Sequence, residues 1–505
     1  MKDIMRLKYF AGGKWLDSEA AEHFKVHDPS TGEIIALAPA CTKKEVEFAV
    51  ASAQEAFFGW AETPVQRRIQ VLYRLRSLII ERMDELAHIL CRENGKAWDE
   101  ARGDIQKVIE PIEFACGAPS LMLGEYMLNS SKGVDTMSYR EPLGVFAGIA
   151  PFNFPGMIPM GWMMPLCIAS GNTFVLKAAS AAPMTSMRIA ELLCDAGLPD
   201  GVVNIVTCGR ETVDALIEHQ DVKGISFVGS TRIGREIYAK AAKSGKRVQA
   251  LCEAKNHALV LEDAALEQTA RAIVNSAFGC AGERCMALPV AVAVEPIADE
   301  LISLIIKYAK ELRIGPAYDP ETDLGPVISA ERKQSILSWI EKGIAEGAVL
   351  VLDGRGAAVE GYENGYFIGP TIFDHVAPEM AIGREEIFGP VLLIKRVSGF
   401  EEGLSLMNLS PYANGSVIFT QSGYYGREFA RRTHAGMVGV NVGIPVPTAI
   451  FPFSGHKSSF FGDLHVLGKD GIKFFTETKC VTSRWIKPGE KSAKVDTWEG
   501  TTQRV

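Results

Sequence analysis

Short, continuous runs of apolar and largely β-branched residues recur along this chain at a spacing that only strand–helix alternation accommodates. Tyr139–Ala150 ends in Val145-Phe-Ala-Gly-Ile-Ala150, and Thr173–Lys177, Val202–Val206 and Gly224–Val228 follow. Helical stretches separate them at Met160–Ala169, Ala182–Ala196 and Glu211–His219. Apolar runs this short are buried strands, and strands joined by helices make right-handed βαβ units on a parallel sheet. The alternation returns after Cys285. A strand at Val290–Val294, helices at Ile297–Leu312 and Ser329–Glu346, and strands near Val349, Val391 and Val417 predict a second α/β unit. The beginning of the chain reads differently. Turn signals at Gly12-Gly-Lys-Trp15 and Asp28-Pro-Ser-Thr-Gly32 predict a small β region. Helical periodicity then covers Lys44–Trp60, Val65–Asn94 and Lys96–Ala115.

At roughly 150 residues per domain, 505 residues predict about three domains, or two with an appendage. A net charge of −8 without a basic block argues against nucleic acid or an anionic membrane as partner. The 10 cysteines show no paired spacing and no C-x-x-C. That pattern predicts reduced thiols in a cytoplasmic enzyme, not a disulfide framework or a metal site. Residues 1–8 lack an apolar core, so no secretory signal is expected there. The longest apolar run, around Met157–Ala169, is interrupted by Pro159, Gly161 and Pro165 and is too short to span a bilayer.

Four places carry candidate chemistry. Cys285 lies in Phe278-Gly-Cys-Ala-Gly-Glu-Arg-Cys-Met-Ala287, behind small residues that let a backbone approach a ligand and beside the permanent cation Arg284. It reads as a nucleophile or as a small buried hydrophobe. The strand Gly224–Val228 runs into Gly229-Ser-Thr-Arg-Ile-Gly234 and then a helix. Such a turn either cradles a pyrophosphate on a helix N-terminus or is an ordinary connection. Lys177 ends a strand, where doubly wound sheets bind ligands. Asn153, between Pro151 and Pro155, either donates to an oxyanion or caps a loop.

Together these pieces resemble the aldehyde dehydrogenase superfamily. Pro151-Phe-Asn-Phe-Pro155, Lys177, Phe227-Val-Gly-Ser-Thr231, Gly282-Glu-Arg-Cys285 and Glu385-Glu-Ile-Phe-Gly-Pro390 carry that resemblance, which extends from about Phe10 to Trp485. Within the superfamily the chain is most similar to CoA-acylating methylmalonate-semialdehyde dehydrogenases. Gln249–His257, Arg284-Cys-Met-Ala287, Ile444-Pro-Val-Pro447 and Ser454–Phe460 carry this closer likeness.

The resemblance implies a Rossmann-like α/β cofactor domain (1–124 and 144–262) and a second α/β catalytic domain (263–468). It also implies a small β oligomerisation arm (125–143 and 469–490), a tail at 491–505, and a homotetramer or homodimer. It implies NAD as cofactor, held by Ala150, Phe152, Lys177, Ser180, Gly229, Ser230, Cys252, Glu386 and Phe388. Cys285 would be the nucleophile, Asn153 and the Cys285 N–H the oxyanion hole, and coenzyme A a co-substrate. Arg284 and Lys107 would bind a substrate carboxylate, and no metal is implied.

Leu251 stands where hydrolytic relatives carry the glutamate that activates water. Leucine is no base, whereas a CoA thiol is partly thiolate at neutral pH. The implied reaction is therefore acylating oxidation of malonate or methylmalonate semialdehyde to acetyl- or propionyl-CoA with loss of CO₂. The alternatives are an acylating enzyme for another small anionic aldehyde, and a hydrolytic enzyme giving a free acid with Glu253 as base. An idle structural member is a further class, against which the intact Cys285, Asn153, Lys177 and Glu386 speak. Lys107, Glu283, Ser180 and Glu253 depart from the family pattern, where arginine, glutamine, glutamate and glycine are usual. Serine at 180 implies a looser preference for NAD over NADP.

Overall fold

The computed structural model describes residues 4–131 and 133–489. The β-branched runs pair into two large sheets. The first has eight strands, in the order Phe460–Gly462, Arg247–Leu251, Val222–Val228, Val145–Ile149, Thr173–Lys177, Val203–Val206, Tyr9–Ala11 and Lys14–Leu16. From Arg247–Leu251 to Val203–Val206 the neighbours are parallel. The outer strands at both edges pair antiparallel. Val145–Ile149 is buried along its whole length, as a central strand covered on both faces must be.

Strand order places a crevice. After Val145–Ile149 the chain adds strands on one side as far as Val203–Val206, then crosses to add Val222–Val228 and Arg247–Leu251 on the other. The loops leaving Ile149 and Val228 therefore diverge at a topological switch point, where open α/β sheets bind ligands.

The second sheet has seven strands, in the order Val349–Leu352, Thr371–Asp374, Val391–Val397, Val290–Val294, His257–Val260, Gly415–Phe419 and Met437–Val440. All its pairs are parallel except the first. Its membership moves two expected boundaries. His257–Val260 lies before residue 262, yet it pairs with Val290–Val294 and Gly415–Phe419 in this sheet. Phe460–Gly462 lies within 263–468, yet it edges the first sheet. The chain passes between the two sheets twice, so contiguous segments do not divide it cleanly.

A third sheet joins Thr476–Arg484, Val134–Pro142 and Tyr126–Ser131, all antiparallel. Tyr126, Met127 and Leu128 are exposed on it. The tail at 491–505 lies outside the described residues.

Three local readings need correction. The amino-terminal β region is split: Met5–Arg6, Ile34–Pro39 and His23–His27 form their own sheet, whereas Tyr9–Ala11 and Lys14–Leu16 extend the first large sheet. The expected helix over Val65–Asn94 is two helices, Val65–Glu81 and Met83–Asn94. Arg82 leaves helical geometry between them (φ −104°, ψ 20°), and Asp84 and Glu85 then favour a new N-terminus. The helix expected from Met160 begins as a π-helical segment, Met157–Met163, before Met164–Ala169. Pro159 and Pro165 remove two backbone donors there, which disfavours a regular α-helix. Among the described residues no helix is long and apolar enough to cross a membrane, and all ten cysteines are free thiols.

Candidate active site

Cys285 reaches the crevice because its approach is forced into an unusual path. Cys280, Ala281 and Gly282 have φ values of 50°, 52° and 72°. A side chain at Gly282 would collide with the Gly389 carbonyl, so only glycine lets this turn pack against the Gly389–Pro390 backbone. Glu100, on the Trp98–Ala115 helix, clamps the turn. Its Oε1 accepts from the Cys280 N–H at 2.6 Å and from Arg284 Nη2 at 2.9 Å. Asn256 Nδ2 donates to the Cys285 carbonyl at 2.9 Å and to the Ala287 carbonyl at 2.8 Å. Asn414 Nδ2 donates to the Cys285 carbonyl at 3.3 Å. The turn that ends in Cys285 is therefore held by side chains from three separate places in the chain.

Around Cys285 the switch-point crevice narrows to a cavity of about 170 Å³. Its walls include Phe152, Asn153, Ser230, Glu253, Arg332 and Glu386. The preceding segment is held from below. Asn94 Nδ2 donates to the Phe152 carbonyl at 2.8 Å, and Asp104 Oδ1 accepts from the Met157 N–H at 2.7 Å. Asp104 is itself paired with buried Lys96 at 2.7 Å. Asn153 Nδ2 donates to the Glu283 carbonyl at 3.0 Å, which aims the amide at the Cys285 turn and leaves its second N–H for an oxyanion. Phe152 and Phe388 meet edge to face at 6.0 Å across the cleft.

Burial and then the Glu386 carboxylate push the Cys285 thiol up to about 12, while the N–H groups of Cys285 and Met286 act the other way. Burial also raises Glu386 to about 8, although its Oε1 accepts from the Ala254 N–H at 3.0 Å. Burial raises Glu283 to about 8 as well, and its Oε1 has no hydrogen-bond partner among the described residues. The thiol is thus held in its protonated form until something draws the proton away.

The expected cofactor residues fall into two neighbouring places. Ala150, whose N–H donates to the Lys177 carbonyl at 3.1 Å, and Gly229 with Ser230 end the strands flanking the switch point. Ser230 is the N-cap of the Thr231–Lys243 helix. Cys252 lines the cleft, but its main role is packing: a side chain at Gly234 would strike its sulfur. Lys177 lies in a second cavity of about 320 Å³, where Ile149, Val213, Ile217, Ile233 and Ile237 share the walls with the charged Arg210, Asp214, Arg232, Glu236 and Lys240. Burial lowers the pKa of Lys177 there. Ser180, three residues beyond Lys177, does not line the slot itself. A slot of mixed apolar and charged lining, a helix N-terminus and a second cleft lined by the Glu386 carboxylate together fit a dinucleotide.

The substrate pair needs correction. Lys107 and Arg284 do not converge. Lys107 is exposed and its Nζ pairs with Glu110 at 2.9 Å. Asp104, Ile105 and Val108 take the inward positions of that helix and leave Lys107 on its outer face. Arg284 is half-buried with its guanidinium engaged: Nη2 on Glu100, Nε on Cys280 Sγ at 3.1 Å, and Nη1 on the Asn275 carbonyl at 3.3 Å. Two of its five N–H groups remain for a substrate. Sequence reasoning also missed Glu100, Asn256, Asn414 and Arg332. Asn256 lay inside the segment that carried the closer resemblance, but nothing in its neighbours indicated a bond to residue 285.

Residues 15–481 match the aldehyde dehydrogenase family, and the chain belongs to that family. Within it, the chain is 50% identical over 483 residues to malonate-semialdehyde dehydrogenase 1 of Geobacillus thermodenitrificans, covering 95% of this chain and 99% of that one. Among solved structures it resembles a Sinorhizobium meliloti protein named as a methylmalonate-semialdehyde dehydrogenase and solved with NAD. The TM-score is 0.95 at 45% identity, with 96% of this chain and 99% of that chain covered. The methylmalonate-semialdehyde dehydrogenase of Oceanimonas doudoroffii superposes with a TM-score of 0.94 at 43% identity, over 96% and 99% of the two chains.

Proposed function

We propose that this aldehyde dehydrogenase oxidises malonate or methylmalonate semialdehyde with NAD and passes the acyl group to coenzyme A. The observation that carries the acylating half is that neither Leu251 nor Glu253 is placed to activate water beside Cys285. Leu251 is buried at 5% exposure, with its carbonyl accepting from the Gly229 N–H, and offers only an alkyl side chain. Glu253 lines the same cavity, but its Oε2 is held by the Thr231 N–H at 3.1 Å.

The chain's own groups carry the remaining chemistry. Cys285 releases its thiol proton to solvent as its sulfur adds to the aldehyde carbon, and the oxyanion forms against Asn153 Nδ2 and the Cys285 N–H. When bound, NAD accepts the hydride released from that carbon. Ser230 and the Thr231–Lys243 helix would hold its pyrophosphate, Lys177 its adenosine ribose and Glu386 its nicotinamide ribose. Cys285 is left as a thioester. With a β-carboxylate substrate, CO₂ leaves from the acyl group and a proton from solvent takes its place on carbon; the CoA thiol then displaces the Cys285 sulfur, which takes up the thiol proton. The uncommitted N–H groups of Arg284 would take the substrate carboxylate.

The first large sheet and its helices would form the cofactor domain, the second the catalytic domain, and the three-stranded sheet an arm joining subunits into a dimer or tetramer. The test is turnover on a panel of aldehydes, with and without CoA, with the products identified by mass spectrometry. Acetyl- or propionyl-CoA from the two semialdehydes is expected. A free acid formed equally fast without CoA would replace this reading with the hydrolytic one.

A further inference from the structure

The turn between the strands Arg247–Leu251 and His257–Val260 carries Glu253 into the cofactor cleft. Its backbone is anchored on both sides. Ser459 Oγ donates to the Glu253 carbonyl at 2.7 Å, Cys252 N–H donates to the Ser459 carbonyl at 2.8 Å, and Ala254 N–H donates to Glu386. The side chain leaves this fixed turn toward the Thr231–Lys243 helix. That helix has no cap of its own: the Ser230 side chain makes no capping hydrogen bond, and no acidic residue lies in the first turn. Arg232 there opposes the helix's positive end. Glu253 Oε2 supplies the missing anion by accepting from the Thr231 N–H at 3.1 Å.

The same helix start follows the Gly229-Ser230 turn at the switch point, where the pyrophosphate of a dinucleotide would be held. One N–H cannot serve two anions, and two negative groups on one helix terminus repel. We propose that Glu253 is a built-in competitor for the dinucleotide pyrophosphate, giving up the Thr231 N–H whenever cofactor is held and thereby weakening the enzyme's grip on both NAD and NADH. The inference rests on the NAD reading above. A carboxylate here speeds NADH departure at the expense of tight NAD capture.

The test is cofactor binding, measured by calorimetry on the full-length protein with NAD, ADP-ribose and adenosine. Glu253→Gln keeps an oxygen acceptor for Thr231 and removes the charge. The dissociation constants for NAD and ADP-ribose should fall roughly 3- to 30-fold, and that for adenosine should stay within about twofold. Should the glutamine variant fold poorly, Glu253→Ala carries the same expectation. If wild type binds NAD and neither variant binds ADP-ribose more tightly, the competitor role is overturned and the NAD reading stands. An equal gain for adenosine overturns it too, because adenosine has no pyrophosphate. If wild type and variants alike bind neither NAD nor ADP-ribose, both readings fall.

Discussion

Two buried acids and one thiol set the chemistry of single residues in this cleft. With its pKa pushed up to about 12, Cys285 carries its proton almost completely at neutral pH. Its alkylation by iodoacetamide, followed by peptide mass spectrometry, should rise about tenfold per pH unit from pH 7 to 10 without levelling. A plateau below pH 9 would mean that the thiolate is stabilised by a group this geometry does not place there. Glu283 gives a stability prediction. Its folded pKa is raised by burial from 4.5 to about 8, so the folded protein holds a proton that the unfolded chain has already released. Raised acids of this kind lose stability as pH climbs through the window between the two values. Glu283→Gln should therefore match wild type near pH 4.5 and exceed it by on the order of 3 kcal/mol above pH 8, read by urea unfolding across that range. A variant equally or less stable at pH 8.5 would contradict the neutral buried acid. In the sequence Glu283 stands out only as a charged residue where the family's glutamine is usual; burial instead favours its neutral form, and no pattern of neighbours displays burial.

At the level of elements, the contact between the Trp98–Ala115 helix and the Gly279–Gly282 turn decides how Arg284 acts. Glu100 holds the guanidinium and the Cys280 N–H together, so loss of either partner loosens the turn that delivers Cys285. Glu100→Gln should lower kcat/KM by about tenfold for malonate semialdehyde and propionaldehyde alike, because only positioning is lost. Arg284→Leu should do the same and, in addition, cut the preference for the anionic aldehyde by at least about tenfold. Steady-state kinetics on both substrates separates the roles. An unchanged preference in Arg284→Leu would leave the arginine purely as a support for the loop. The strands were legible here because β-branched runs announce themselves locally: Thr173–Lys177 has the bounds read from sequence. The clamp was not legible. Glu100 and Cys280 are 180 residues apart, and a glutamate on a helix reads as a solvated charge until a partner is folded against it. Lys107 was misplaced for a related reason: alignment gave it a family role, while helical phase turns it outward to Glu110.

The whole molecule brings a cysteine from one α/β unit against loops from the other, and its chemical outcome depends on what can reach the acylated sulfur. Leu251 is no base and Glu253 sits at the start of the Thr231–Lys243 helix, so deacylation by water should be slow and deacylation by a thiol fast. In stopped flow, semialdehyde and NAD without CoA should give a burst of NADH approaching one per competent subunit, followed by a slow linear phase. CoA should raise the slow phase by about 10- to 1,000-fold and shift the product from free acid to acyl-CoA. Glu253→Gln sharpens the result. The Glu253 carboxylate serves the start of the Thr231–Lys243 helix and the cofactor, so the variant should retain the burst and the dependence of turnover on CoA, with any loss of rate traced to slower NADH release. Rapid CoA-independent turnover in wild type, lost in Glu253→Gln, would instead mean that the carboxylate leaves the helix and activates water. The enzyme would then be hydrolytic, with its base two residues beyond Leu251.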